Sequence, residues 1–242
     1  MRMNIVICTN KSWNVRNAEE FAEAHKTHQV HIWTKKEELT REKLETIGPD
    51  FVFFPHWSYL IPAEIYSAYP CVVFHMTDLP FGRGGSPLQN LIVRGLERTK
   101  ISAIRVDGGI DTGPVYMKYP LELDGSAEEI LKRASNIVFH RMIPEMMEKR
   151  PEAVPQSGQV VTFKRRKPED GRLTADMDMK TLYDYIRMLD GEGYPKAFMD
   201  FQGCRMEFRG AERKDGVIQA QITIREEKDD EENTGYCGAS GR

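Results

Sequence analysis

The sequence predicts an α/β fold: a mainly parallel sheet flanked by helices, with a small C-terminal α+β/β extension. Three observations carry that expectation. Short apolar runs alternate with helical patterns through the first half, and such alternation implies βαβ units. The clearest helical periodicity follows them, at residues 126–150. Composition then shifts, after a Pro-rich and polar linker at 151–158, to shorter and more polar segments.

The runs NIVICT (4–9), QVHIW (29–33), DFVFFP (50–55) and CVVF (71–74) read as strands, because they are short, apolar and rich in β-branched and aromatic residues. Helical patterns lie between them near 14–25, 40–47 and 62–68, the last with Pro62 at a favourable first helical position. GGSPLQNLIVRG (84–95) gives another helix, and SAIRVD (102–107) and VYMKYP (115–120) read as strands around the turn GGIDTG. At 126–150, Ser126 and Glu129 form a capping box, and Ile130, Leu131, Ala134, Ile137, Val138 and Met142 recur at helical spacing. Beyond the linker come a short strand at 160–163, a helix at 179–190, and β segments at 197–201, 205–209 and 217–224. The division expected is a domain at 1–158, a small subdomain at 159–225 and a disordered acidic tail at 226–242.

Composition excludes several classes. Hydrophobic content of 40% and charged content of 29% over 242 residues support a sizeable core. A net charge of −3 gives no electrostatic case for a dedicated nucleic-acid binder. No apolar run approaches the ~18–20 residues that span a bilayer, and MRMNIVICTN is too short and polar for a signal peptide. Cys8, Cys71, Cys204 and Cys237 show no CxxC spacing. A reducing, cytoplasmic setting without a metal site is expected.

In an open α/β sheet, ligands bind beyond the carboxyl ends of strands. His75 after CVVF and Asp111 in VDGGIDTG fall there, and the glycines of GRGG let backbone approach a ligand. Singly these signals are weak. A histidine after a strand is commonly structural, and DGGIDTG is good turn chemistry. GRGG is neither a dinucleotide fingerprint nor a phosphate loop.

In order and spacing they are specific. HMTDLPFGRGGSPLQNLIVRG followed by VDGGIDTGPVY resembles the catalytic half of the formyltetrahydrofolate-dependent formyltransferases, whose pattern is N-x-H-x-S-x-L-P-x-x-R-G-x-x-P and then D-x-G-x-D-x-G. His75, Leu79, Pro80, Arg83, Gly84 and Pro87 match the first part; Asp107, Gly109, Asp111 and Gly113 match the second. PDFVFFPHWSYLIPAEI resembles the preceding strand and pterin loop. FKRRKPEDGRL and YPKAFMDFQG resemble the stretch after the catalytic domain in larger members, so the likeness runs from about Met3 to Gly210. Two positions depart from it: the family's Asn falls on Val73 and its Ser on Thr77.

The resemblance implies a Rossmann-like catalytic domain and transfer of a formyl group from N10-formyltetrahydrofolate, a co-substrate, to an amine, without a metal. By that likeness His75 donates to the developing oxyanion, and Asp111 orients the amine or His75 and accepts or relays a proton. Val73 cannot donate, which implies either a slow enzyme or a replacement donor, for which Thr77, a glycine-loop N–H, His56 and a water are the candidates. The folate is expected along Trp57, Tyr59, Leu60, Ile61, Arg105, Val106 and Asp107. Lys11, Trp13, Asn14, Arg83, Lys164, Arg165 and Arg166, with Lys167, are the acceptor-binding candidates. Their structural alternatives are a solvated basic face, a tryptophan capping the sheet and, for Arg83, loop packing.

The short stretch after Tyr194 and the acidic tail are poor equipment for tRNA. The expected acceptor is therefore a nucleotide-linked amino sugar of the pseudaminic-acid type, with UDP ahead of dTDP. No nucleic-acid or membrane partner and a homodimer go with that reading. The alternatives are a methionyl-tRNA formyltransferase-like enzyme, a formyltetrahydrofolate hydrolase and an inactive folate- or nucleotide-binding relative.

Overall fold

Strand β1 (Asn4–Cys8) shows why a two-sided sheet forms. In the computed structural model, which describes residues 2–226, Ile5 and Ile7 enter one core with Phe53 and Val72. Val6 and Cys8 enter another with Val52, Phe54 and Cys71. Successive strand residues face opposite ways, so a continuous apolar run needs helices on both sides.

The main sheet adds β2 (Gln29–Trp33), β3 (Phe51–Phe54) and β4 (Cys71–His75). A two-stranded ladder uses β5 (Phe81–Gly84), and β6 (Arg98–Arg105) and β7 (Val115–Glu122) complete the main sheet in the order β2-β1-β3-β4-β6-β7. The pairs among β1 to β4 are parallel; β4–β6 and β6–β7 are antiparallel.

Helices α1 (Ser12–Ala24), α2 (Arg41–Ile47), α3 (Ala63–Tyr66), α4 (Pro87–Ile92), α5 (Ala127–Ile137), α6 (Ile143–Lys149) and α7 (Met179–Met188) surround these strands. Thr40 caps α2, Ser126 and Glu129 form the expected capping box on α5, and Asp178 caps α7. Asn17 of α1 donates to the Ser135 hydroxyl of α5 at 2.7 Å, joining the two helices across the core. The single helix expected over 126–150 is divided by a π-helical segment, Val138–Met142. This shift of register keeps Phe139 and Met142 fully buried, and burying side chains of that size contributes about 1.5–3 kcal/mol each.

After the linker, β8 (Val161–Phe163) returns to pair with β5 in parallel. The sequence reads the GRG stretch as loop, because a glycine-rich segment carries no strand propensity. Its partner β8 makes it a strand. β9 (Ala197–Phe201), β10 (Cys204–Lys214) and β11 (Val217–Glu226) form an antiparallel sheet in the order β11-β10-β9. The expected disordered tail begins at Glu226, which closes β11; residues 227–242 lie outside the described residues. Among the described residues no helix is long and apolar enough to cross a membrane.

Candidate active site

β4 delivers His75 at its carboxyl end, opposite Ser102 of β6. The loop that follows folds back over the ring. Gly82 and Gly84 have φ of +79° and +100°, and a Cβ on Gly84 would lie 2.5 Å from the Phe163 carbonyl oxygen. Only glycine lets this segment rest on β8. The fold-back brings the Gly82 carbonyl to His75, whose Nε2–H donates to it at 2.7 Å. The other ring nitrogen, Nδ1, lies 3.5 Å from Asp111 Oδ1. Asp111 Oδ2 accepts the Gly84 N–H at 2.9 Å. Both groups are largely buried, with 10% and 17% of their side chains exposed.

The Asp111 loop braces itself. Asp107 accepts from the Gly109 N–H at 2.9 Å and from the Thr112 hydroxyl at 2.6 Å. Gly113 passes so close to β6 that a Cβ there would lie 1.7 Å from the Arg105 carbonyl oxygen.

Two cavities meet at this pair. The first, about 330 Å³, is lined by Tyr59, Leu60, Ile61, Val73, Ile104 and residues 105–113, Asp111 among them. Its walls are mostly apolar and include the glycine-rich 108–113 loop, which suits a flat heteroaromatic ring carrying polar edge groups. The second, about 480 Å³, holds His75 over an apolar floor that includes Phe74 and Leu131, beside Lys11, Arg165, Arg166 and Lys167. The histidine thus faces one cavity and its carboxylate partner the other.

Of the expected folate contacts, Tyr59, Leu60, Ile61, Arg105, Val106 and Asp107 line the first cavity. Trp57 does not. It lines the second, turned there by packing on Phe54 and edge-on against Tyr59. Lys11, Arg165 and Arg166 line the second cavity.

Five other candidate residues, Trp13, Asn14, Arg83, Thr77 and Lys164, do not stand as the functional reading expects. Trp13 and Asn14 are buried within α1 at 5% and 0% exposure, with Trp13 edge-on to His56, so neither lines the cavity. The Arg83 guanidinium is committed to Gln156. Thr77 is fully buried, and its hydroxyl donates to the Gly82 carbonyl, which removes it as an oxyanion donor. Lys164 is exposed and outside both cavities; its backbone carbonyl accepts from Asn90.

His56 stands in the second cavity at φ +52°. Burial, and secondarily the charge of Lys11, lower its pKa to about 4, so the ring is neutral at physiological pH. Asn10 Oδ1, Asn14 Oδ1, Trp13 Nε1 and Trp57 Nε1 are buried and lack a hydrogen-bond partner among the described residues. Such orphans are normally satisfied by ordered water or a polar ligand. The sequence reading missed Gln156, which lies in the linker, and Tyr194 as a wall of the second cavity. Gln156 carries no local motif signal, whereas Tyr194 opens the YPKAFMDFQG stretch whose resemblance could have singled it out.

A family model described as Formyl transferase matches residues 2–146, which contain both His75 and Asp111. The chain belongs to the formyl transferase family. A second model, described as the methionyl-tRNA formyltransferase C-terminal domain, matches residues 168–225. The chain is 55% identical to a solved methionyl-tRNA formyltransferase from Clostridium thermocellum, with a TM-score of 0.90, covering 93% of this chain and 99% of that one. The methionyl-tRNA formyltransferase of Thermodesulfovibrio yellowstonii is 24% identical over 153 residues, covering 60% of this chain and 50% of the relative. The chain spans about half the length of the curated relatives it matches. A sugar N-formyltransferase from Shewanella matches with a TM-score of 0.66 at 12% identity, covering 86% of this chain and 96% of that one, which shows a shared fold alone.

These findings overturn the expectation of a nucleotide-sugar acceptor and of no nucleic-acid partner. A relative 55% identical over 93% of this chain is named for a tRNA substrate. That expectation rests on the short stretch after Tyr194, on the acidic tail and on charge summed over the chain. A net charge of −3 says nothing about where cations gather, and four of them stand around the second cavity.

Proposed function

We propose that the chain transfers the formyl group of N10-formyltetrahydrofolate to the α-amine of methionyl-tRNA. The observation that carries this reading is the His75–Asp111 pair, 3.5 Å apart, at the junction of an apolar cavity and a basic one. The 55% identity with the C. thermocellum methionyl-tRNA formyltransferase supports the choice of acceptor.

In this reading the pteridine ring lies in the first cavity against the backbone of 105–113. The methionyl end of the tRNA enters the second. Lys11, Arg165 and Lys167 meet its phosphates, as basic side chains do in sequence-independent nucleic-acid contacts. The acceptor amine bonds to the formyl carbon, the bond from that carbon to N10 breaks, and the proton given up by the amine replaces the formyl group on N10.

The protein's tasks are orientation, charge stabilisation and proton handling. Asp111, 3.5 Å from His75 Nδ1, takes up the amine proton, directly or through water. His75 donates to the carbonyl oxygen as it becomes negative, exchanging its Gly82 partner for that oxygen. Catalytic hydrogen bonds commonly tighten only when substrate is in place. Val73 lines the first cavity and leaves the oxyanion one side-chain donor short. The neutral His56 ring in the second cavity is the replacement donor in this account.

The experiment measures loss of formyltetrahydrofolate with and without methionyl-tRNA. Loss that requires the aminoacylated tRNA supports transfer. Equal loss without it makes the protein a hydrolase, and no loss in either case makes it a binding protein.

A further inference from the structure

Asp111 has a left-handed backbone, with φ of +54°. Aspartate tolerates this region better than most residues, but at a cost in strain, and such a conformation persists only where its surroundings enforce it. The enforcing group comes from the linker. Val154 and Val115 exchange both backbone hydrogen bonds, at 2.7 and 2.9 Å, in an isolated antiparallel bridge. Antiparallel register then sets Gln156 opposite Gly113.

The Gln156 amide is fully committed. Nε2 donates to the Asp111 carbonyl at 2.8 Å and to the Gly113 carbonyl at 2.8 Å. Oε1 accepts from Arg83 Nε at 3.1 Å and Nη2 at 2.8 Å. Two carbonyls on one side and a guanidinium on the other permit only this amide orientation. Arg83 immediately precedes Gly84, whose N–H meets the Asp111 carboxylate. The contacts form a closed ring: Asp111 side chain, Gly84, Arg83, Gln156, Asp111 backbone.

We propose that Gln156 is a positioning residue for formyl transfer, which with Arg83 locks the Asp111 loop onto the glycine loop so that the carboxylate faces His75. The inference rests on the reading of His75 and Asp111 as the transfer pair. A displacement of about 1 Å at such a pair costs on the order of 100-fold in rate, so a bond network that fixes the loop has a kinetic signature.

The test uses the full-length protein and three variants. Gln156→Ala removes all four of these hydrogen bonds. Gln156→Glu keeps the size and the acceptor for Arg83 but turns one carboxylate oxygen toward two carbonyls. Arg83→Met removes the support behind the amide. Both Gln156 variants are expected to lower kcat by roughly 10–100-fold while KM for methionyl-tRNA stays within about twofold. The Arg83→Met/Gln156→Ala double variant is expected to be no slower than Gln156→Ala, because the two residues act as one unit.

Hydrogen exchange supplies a readout independent of activity. Amides of 107–113 should exchange faster in Gln156→Ala while β1 and β3 keep wild-type protection. The proposal is overturned by a kcat within about twofold of wild type, by losses that multiply in the double variant, or by faster exchange spread evenly over the sheet. A wild-type protein that formylates no methionyl-tRNA would refute the proposed function instead, and exchange at 107–113 would still decide whether Gln156 holds the loop.

Discussion

His75 and Asp111 divide the work at the smallest scale. Each is tied to the glycine loop by its own hydrogen bond, at 2.7 and 2.9 Å, so neither can shift without the other. His75→Asn and Asp111→Asn are each expected to lower kcat/KM by on the order of 10²–10³-fold, measured with formyltetrahydrofolate and methionyl-tRNA, with little change in Tm. His56 yields a separate prediction. Its folded pKa of about 4 lies below the ordinary value near 6.5, so the folded chain binds fewer protons than the unfolded one. The resulting stability is full above about pH 6.5 and is lost as pH falls toward 4. Urea unfolding should therefore weaken less between pH 7 and about 4.5 in His56→Gln than in wild type; equal losses would count against a buried neutral ring. Burial also pushes the Cys71 thiol up to about 12 and the Cys8 thiol well above its usual value, in keeping with two inert core cysteines. His75 and Asp111 were legible in the sequence because one closes a strand, the other lies in the turn between two strands, and both stand beside glycines at a recognisable spacing. Gln156 was missed and Trp13 misjudged because their contacts are to residues 45 and 43 positions away. No local pattern encodes such partners.

Strands, helices and loops set which of these side chains meet. β4 and β6 were readable as apolar runs, whereas β5 exists because β8 returns across 80 residues to pair with it, Phe81 to Val161. A non-local pairing of that kind leaves no propensity signal. The π-helical segment Val138–Met142 escaped for a different reason: side chains keep helical spacing on both of its flanks. The 105–113 loop gives the clearest prediction at this scale. A Cβ at Gly113 would lie 1.7 Å from the Arg105 backbone oxygen, a clash that no rotamer relieves. Gly113→Ala should displace the loop and weaken tetrahydrofolate binding by at least about tenfold, a cost near 1.4 kcal/mol, as read by calorimetric titration. Unchanged affinity would remove the loop from the folate site. The basic segment after β8 gives another. Arg166 is already engaged, donating to the Asp170 carbonyl and standing 5.5 Å over Tyr185, so Arg165 and Lys167 are the freer cations of the cavity wall. Changing both to Gln should raise KM for methionyl-tRNA. The slope of log KM against log salt should also fall, by about 0.7–0.9 for each phosphate no longer neutralised.

The whole molecule is arranged around the sheet's change of direction. Parallel pairing ends at β4, antiparallel pairing begins with β6, and the site opens beside that junction, as ligand sites do in open α/β sheets. The fold class was readable from the alternation of strands and helices because both cores are built from local apolar runs. The acceptor was not readable, because recognition of a phosphate chain depends on where cations gather in space rather than on their sum. Lys11 comes from the start of the chain and Arg165 to Lys167 from beyond the linker, and only folding brings them around one cavity. The claim that joins these scales is that the basic cavity receives the methionyl end of a tRNA and the His75–Asp111 pair transfers the formyl group there. The most direct test is mass spectrometry of the amino acid released from methionyl-tRNA after incubation with the protein and formyltetrahydrofolate. The account predicts N-formylmethionine with the wild-type protein and a strong loss with His75→Asn; unmodified methionine with the wild-type protein would contradict it.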